Sequence, residues 1–437
     1  MTALALLHRK VSGTLQLFQT ATLFAKQSYI LSRNESRFVP KRVLVLSKVS
    51  RYYYEKLWGP DLNESQLRRR LMDRGSDYDA LLASHQNDKE KELATTNILK
   101  DLNIEYKVMN RSVNNLCRLS VDHNAFNWAD LILPIGGDGT FLFSANLIFD
   151  NKKPIIGINS DPLSSEGYLM LPEKYTKDIR LIFELMKAGE YKFLMRSRIR
   201  TTLKGVGIWE PPFHMHQKWR VTGKERSQVK HADESIAVEN KKILRFNVDD
   251  TYKDHSENVQ PNERRLPWLA LNEVFIGEAL SARTSALDIR LGNANLSFKV
   301  KSCGLCASTG TGSTSWHRAI NSLSPQTVDN ILRVGGIKLD SSINATDISS
   351  RYNGQLQFPA EDCRIAYTIR DMIVGRTLPS PKGIQPRGFC QKLIIRSHCF
   401  DAGLVLDGGI AVPFNDGTVA VLEIHPEDSL RTIILPE

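Results

Sequence analysis

Leu131-Ile132-Leu133-Pro134-Ile135-Gly136-Gly137-Asp138-Gly139-Thr140-Phe141 starts as an apolar run and breaks into a glycine-rich turn. The run has the length and character of a strand buried in a parallel sheet, and the apolar content of residues 141–149 predicts a helix after it. The glycines therefore fall on a strand-to-helix turn. There, backbone N–H groups can approach a phosphate chain with no side chain in the way, next to the positive end of a helix. Asp138 is the odd member, because a carboxylate repels phosphate. It makes sense as a base or a metal ligand; the alternative is a tight structural turn in which Asp138 caps the helix.

Working outward, the pattern alternates. A strand is expected at residues 43–46, a helix at 90–102, a strand at 106–109, a strand at 154–159 and a helix at 175–187. Such alternation up to about residue 190 implies an α/β domain, doubly wound and Rossmann-like, with its ligand at the carboxyl ends of the strands. Beyond it, short alternating or apolar runs at 198–203, 268–277, 286–291, 295–301, 364–369, 392–396, 404–406 and 419–424 predict an all-β, sandwich-like second domain. Residues 204–265 are polar and charged, which reads as an exposed, partly disordered insertion.

The chain has 437 residues, 58 Lys and Arg against 48 Asp and Glu, and a formal net charge of +10. Residues 1–42 hold seven of the basic residues and one acid, Glu35, leaving about +4 for the rest. A nucleic-acid partner is therefore not expected, and no interleaved basic and aromatic stripe argues for one. No apolar run approaches the roughly 18 residues of a membrane span, so no membrane partner is expected either. Residues 1–36, rich in Leu, Ser, Thr and Ala with scattered Arg and Lys, read as a mitochondrial transit peptide. Six cysteines, few for this length and mostly isolated, argue against a disulfide framework. Cys303 and Cys306 have the spacing of a redox or zinc pair but no second pair to complete four ligands, which favours buried apolar cysteines beside a strand.

Two later stretches add chemistry. In Leu269-Ala270-Leu271-Asn272-Glu273-Val274, an amide and a carboxylate at the end of an apolar run suit the adjacent hydroxyls of a ribose. Ser308-Thr309-Gly310-Thr311-Gly312-Ser313-Thr314 is a hydroxyl- and glycine-rich turn able to cup a polar ligand. Following a strand–Gly-Gly-Asp-Gly-Thr–helix unit in this order, they make the chain resemble the NAD kinase family, and within it the animal mitochondrial branch.

The resemblance runs from about Lys41 to the C-terminus. It implies phosphate binding by Gly136, Gly137, Gly139 and Thr140, with Asp138 as catalytic base. Asn272 and Glu273 correspond to the ribose-contacting pair, Asn159 to the asparagine of the preceding strand end, and Tyr168 to a turn aromatic. Thr309, Thr311, Gly312, Ser313 and Thr314 match the second nucleotide-binding motif, with Gly310 in place of its proline. Cys303 replaces an aspartate, and Trp316 replaces a tyrosine while keeping a stacking face. The family also returns its last strand to the first domain, which implies an α/β domain of 37–192 plus 422–437 around a β domain of 193–421, and it implies a homodimer.

The implied reaction moves the γ-phosphoryl of ATP to the 2′-hydroxyl of the adenosine ribose of NAD, giving NADP in the mitochondrial matrix. Mg²⁺ enters bound to ATP, and no protein-held metal site is expected. A diacylglycerol- or sphingosine-type lipid kinase shares the glycine turn and a following β domain but has no ribose diol to read. A non-catalytic nucleotide sensor of the same fold is the other alternative.

Overall fold

A computed structural model describes residues 38–59, 61–110, 123–162, 165–205, 207–210, 212–214, 262–280, 282–292, 297–337, 343–376 and 384–436. The expected transit segment and the middle of the insertion lie outside the described residues.

The first layer is β1 (Arg42–Ser47), α1 (Arg51–Trp58), α2 (Glu64–Asp73), α3 (Tyr78–Asp101), β2 (Glu105–Asn110), α4 (His123–Trp128), β3 (Leu131–Gly136), α5 (Asp138–Ala145), β4 (Ile158–Asn159), α6 (Glu173–Lys177) and α7 (Ile179–Ala188). The four strands pair in parallel in the order β2-β1-β3-β4. Successive residues of β1 and β3 serve opposite faces: Val43, Val45, Leu131, Leu133 and Ile135 pack with Leu99, Ile182 and Phe183. Leu44, Leu46 and Ile132 pack with Phe126, Phe141 and Ile148 on the other side. Burial on both faces is why these strands read as unbroken apolar runs.

β5 (Lys192–Arg196) leads out of this layer. The second domain comprises β6 (Ile199–Lys204), β7 (Phe213–His214), β8 (Glu263–Arg265), β9 (Glu273–Glu278), β10 (Ser285–Leu291), β11 (Phe298–Ser302), β12 (Gly304–Ser308), α8 (Trp316–Asn321), α9 (Pro325–Val334), α10 (Ala345–Gly354), β13 (Ile365–Arg370), β14 (Arg387–Cys390), β15 (Lys392–Ser397), β16 (Ala402–Leu406), β17 (Ile410–Pro413) and β18 (Val419–Ile424). Two antiparallel sheets, β11-β10-β15-β18-β6-β8 and β14-β13-β12-β9-β16-β17-β7, enclose one core containing Ile199, Val274, Ile276, Leu287, Leu305, Ile395, Leu404 and Leu422. The chain then crosses back: β19 (Leu430–Ile434) pairs antiparallel with β5, and Thr432 bridges Ile155 beside the parallel sheet.

Several expectations change in detail. The helix after the glycine turn begins at Asp138 and ends at Ala145, so the turn itself is helical from its aspartate on. α3 begins at Tyr78 rather than near residue 90, because Asp77 accepts from Ala80 N and starts it twelve residues earlier. The return crossing is β19 alone: Leu422 and Glu423 stay in the sandwich, paired with β15 and β6. The insertion also has ordered ends. Ile208 is buried in the sandwich core, β7 pairs with β17, and β8 pairs with β6. Finally, the β domain carries the helical excursion α8–α10, announced locally by Ser324-Pro325 at one N-terminus and an Asn344/Asp347 capping box at another.

Candidate active site

Gly136 adopts φ +156°, and a Cβ there would stand 2.4 Å from Thr140 Oγ1. Only glycine lets β3 fold back onto the first turn of α5 in this way. Gly137 is the N-cap, with no side-chain cap hydrogen bond, its carbonyl accepts from Thr140 N and Phe141 N, and Gly139 is exposed, so no side chain covers the first turn of α5 at that residue. The capping alternative for Asp138 does not hold. Its carboxylate instead accepts from Tyr168 N at 3.1 Å and Leu169 N at 2.9 Å, drawing the Glu166-Gly167-Tyr168-Leu169 turn over the glycine loop.

Asn159, buried at the end of β4, shapes the same wall. Its Nδ2 donates to Ser165 O and its Oδ1 accepts from Asp161 N. Tyr168 is left more than half exposed above it. Lys48, at the exit of β1, flanks Gly136 and pairs with buried Asp88 at 3.3 Å, and Ser160 Oγ also donates to Asp88.

The second and third motifs are tied together. The Asn272 carbonyl accepts from Thr309 N at 2.9 Å and from Ser308 Oγ at 3.3 Å, while Thr309 Oγ1 donates to Leu271 O and accepts from Gly312 N. Leu271 is buried among apolar side chains of the α/β layer, which pins this knot to the joint between domains. Ser313 Oγ donates to Gly310 O and accepts from Phe358 N, and Thr314 Oγ1 donates to Thr311 O. Trp316 is partly exposed, edge-on to Phe275 with ring centroids 5.0 Å apart.

Asn272 and Glu273 are both buried, and among the described residues Asn272 Oδ1 and Glu273 Oε2 have no hydrogen-bond partner. Burial, and then the neighbouring charge of Asp407, push the Glu273 carboxyl up to about 8. At neutral pH it is therefore largely protonated and able to donate as well as accept.

Asp407 escaped the sequence reading. It sits at φ +48° in the turn between β16 and β17, a left-handed position Asp tolerates. Its carboxylate accepts from the backbone N–H groups of Leu271 (2.9 Å), Asn272 (2.7 Å) and Glu273 (3.2 Å), and from Asn146 Nδ2 behind α5. Asp407 thus fixes the Asn272-Glu273 backbone against the helix that carries Asp138. The only local signal was an Asp-Gly-Gly turn after an apolar strand.

A cleft of about 480 Å³ opens between the domains, lined among others by Tyr168, Leu169, Arg196, Thr311, Thr314 and Phe358. Arg196 also escaped the sequence reading, although Arg196, Arg198 and Arg200 alternate through an extended stretch, the pattern of one shared face. Gly310, the departure from the family proline, has a steric reason: a Cβ there would stand 1.8 Å from Pro359 O. The irregular 358–360 segment lies so close that a side chain at this position does not fit without a shift. Cys303, expected to be buried, is exposed, while Cys306 is buried. Among the described residues no group of three or more His, Cys, Asp or Glu is placed to hold a metal.

A glycine turn at the carboxyl end of a parallel sheet, with a sandwich that lends the hydroxyl-rich turn of Thr311 and Thr314 to the cleft and holds the amide-carboxyl pair of Asn272 and Glu273 buried outside the cleft lining, is the arrangement of a two-domain nucleotide-binding protein. The family described as ATP-NAD kinase N-terminal domain matches residues 64–191. The chain is 35% identical over 407 residues to the mitochondrial NAD kinase 2 of Rattus norvegicus, covering 92% of this chain and 89% of that protein. It is 34% identical over 413 residues to that of Homo sapiens, covering 93% and 87%, and 31% identical over 433 residues to that of Xenopus tropicalis, covering 93% of each. The chain belongs to the NAD kinase family.

Proposed function

We propose that this chain transfers the γ-phosphoryl of ATP to the 2′-hydroxyl of the adenosine ribose of NAD, giving NADP, and that it does so in the mitochondrial matrix. The observation that carries the reading is the convergence of three distant motifs. Asp138 holds Tyr168 and Leu169, the Asn272 carbonyl holds Ser308 and Thr309, and Asp407 ties the second knot to the helix of the first.

In this reading the backbone N–H groups at the start of α5, with Gly136, Gly137, Gly139 and Thr140 making room, bind phosphate oxygens. Asn272 and Glu273 take ribose hydroxyls with the polar atoms that lack partners. The turn of Thr309, Thr311, Gly312, Ser313 and Thr314, with Tyr168, Asn159 and Trp316, forms the remaining wall. Asp138 accepts the 2′-hydroxyl proton as the new P–O bond forms and the bond from the γ-phosphorus to the β–γ bridging oxygen breaks, releasing ADP; general-base help of this kind is worth on the order of 10²–10⁴ in rate. Its two backbone hydrogen bonds fix its direction and leave its remaining lone pairs for that proton. Alignment of the reacting oxygens supplies much of the rest.

Mg²⁺ would enter bound to ATP, with Asp138 the carboxylate placed at the glycine turn. When bound with ATP the ion neutralises phosphate charge. Residues 1–36 act as the transit peptide, and the mature chain forms a homodimer.

Purified protein incubated with NAD, ATP and Mg²⁺ should produce NADP phosphorylated at the adenosine 2′ position. Tight binding of both nucleotides with no NADP formed would replace the enzyme by a sensor. Fusion of residues 1–36 to a fluorescent reporter checks the targeting, and light scattering on the mature chain checks the dimer.

A further inference from the structure

Arg196 ends β5, where the chain leaves the α/β layer, and lines the interdomain cleft with Tyr168, Leu169, Thr311 and Thr314. Its two neighbours in the alternation are fully occupied. Arg198 donates to the carbonyls of Ala145, Ile148, Asp150 and Asp428, and Arg200 pairs with Asp428 and Glu427. Among the described residues Arg196 has only a long hydrogen bond from Nη1 to Thr311 Oγ1, at 3.3 Å, and its Nε is buried with no partner.

The nearby carboxylates, Asp138 and Glu361, act on Arg196 by charge but make no salt bridge to it among the described residues. Asp138 accepts from Tyr168 N and Leu169 N, and Glu361 Oε1 accepts from Met195 N. Burial pushes the guanidinium down to about 10, opposed by the charges of Asp138 and Glu361, so it stays cationic at neutral pH. A half-buried cation without a salt-bridged anion carries a desolvation cost, and a guanidinium fork matches phosphoryl oxygens two at a time. The cleft it faces is of a size that takes a nucleotide fragment. The Gly-Gly-Asp-Gly-Thr turn itself contains no cation.

We infer that Arg196 is a phosphate-binding residue of the cleft, its fork directed at phosphoryl oxygens of the bound nucleotide; this rests on the nucleotide-kinase reading above. The residue then supplies countercharge that the glycine turn lacks, and its vacant donors are a binding site rather than a packing fault.

The test compares full-length wild type with Arg196→Gln, which keeps a donor for Thr311 but removes charge and fork. Calorimetric titration with ATP, NAD and adenosine is read beside the thermal midpoint of ligand-free protein. The expected result is a ten- to hundredfold weaker affinity for ATP, NAD or both, unchanged adenosine binding, and an unchanged or higher ligand-free midpoint, since a partly desolvated charge without a salt-bridged anion has gone. Loss for ATP alone assigns the donor's phosphates, and loss for NAD alone assigns the pyrophosphate of the acceptor. ATP and NAD affinities within twofold of wild type, or a lowered midpoint with undiminished stabilisation by either nucleotide, would overturn the inference. If the Gln variant does not fold, Arg196→Met is read the same way. NADP formation by the wild type, assayed on the same preparation, separates failure of the kinase reading from failure of this one.

Discussion

At the scale of single residues, Asp138 and Glu273 carry more than one duty. Asp138→Asn keeps the size but turns one acceptor oxygen into a donor, which cannot receive the N–H of Tyr168 or Leu169. The variant should lose turnover by about 10²–10⁴ and also raise KM for NAD, since the Tyr168 turn loosens. Steady-state kinetics check this, and wild-type turnover would remove Asp138 as the base. Glu273 binds its proton more tightly in the folded protein, where it stands at about 8, than in an unfolded chain near 4.5. The folded state therefore holds the extra proton between those values, and its contribution to stability falls as pH rises from about 4.5 to about 8. Glu273→Gln should flatten that slope in ligand-free protein, measured as thermal midpoint against pH; a parallel profile would show the carboxyl titrating normally.

At the scale of elements, the junction between β5, β6 and α5 is the most exacting part of the chain. Arg198, fully buried, takes up the last carbonyls of α5 and its following turn together with Asp428 O, so one side chain closes a helix end and joins it to the sandwich. Arg198→Met leaves those buried carbonyls without donors and should destabilise by about 3–5 kcal/mol, at roughly 1 kcal/mol or more for each acceptor left unsatisfied. The urea midpoint measures it, and a change under about 1 kcal/mol would mean that water replaces the guanidinium. Gly310 is constrained just as tightly. Gly310→Pro restores the residue the family resemblance led one to expect, yet it should lower the thermal midpoint, because its Cβ would meet Pro359 O. A stable, active Gly310→Pro protein would show the 358–360 segment to be free to withdraw.

For the whole molecule, the two chain crossings β5 and β19 lie side by side and hold the α/β layer to the sandwich. The insertion hangs from a closed ladder: Lys204 pairs with Glu263, and Gly205 N donates to Asn262 O. Removing residues 222–260, which lie outside the described residues, and closing with a short Gly/Ser linker should keep the fold and most of the activity. Loop closure costs little when the ladder ends already meet. An insoluble product would mean that the excised segment packs on the body. Residues 262–265 must stay, because β8 extends the sheet.

The parallel strands were legible because burial on both faces forces continuous apolar runs, and the glycine turn because Gly136 has no substitute at its φ. The antiparallel strands were legible by alternation, and the motifs of Asn272 and Thr309 by their polar chemistry and by family likeness. What sequence could not supply was long-range partnership. Asp407 reaches Asn272 across 135 positions, Arg198 reaches Asp428 across 230, and Leu422 belongs to the sandwich because of pairings with Thr201 and Leu393 that no local pattern encodes. Local propensity and periodicity determine elements and turns. Which buried charge meets which carbonyl, and whether Arg196 is left waiting for an anion, depends on contacts the chain makes only when the two domains close on each other.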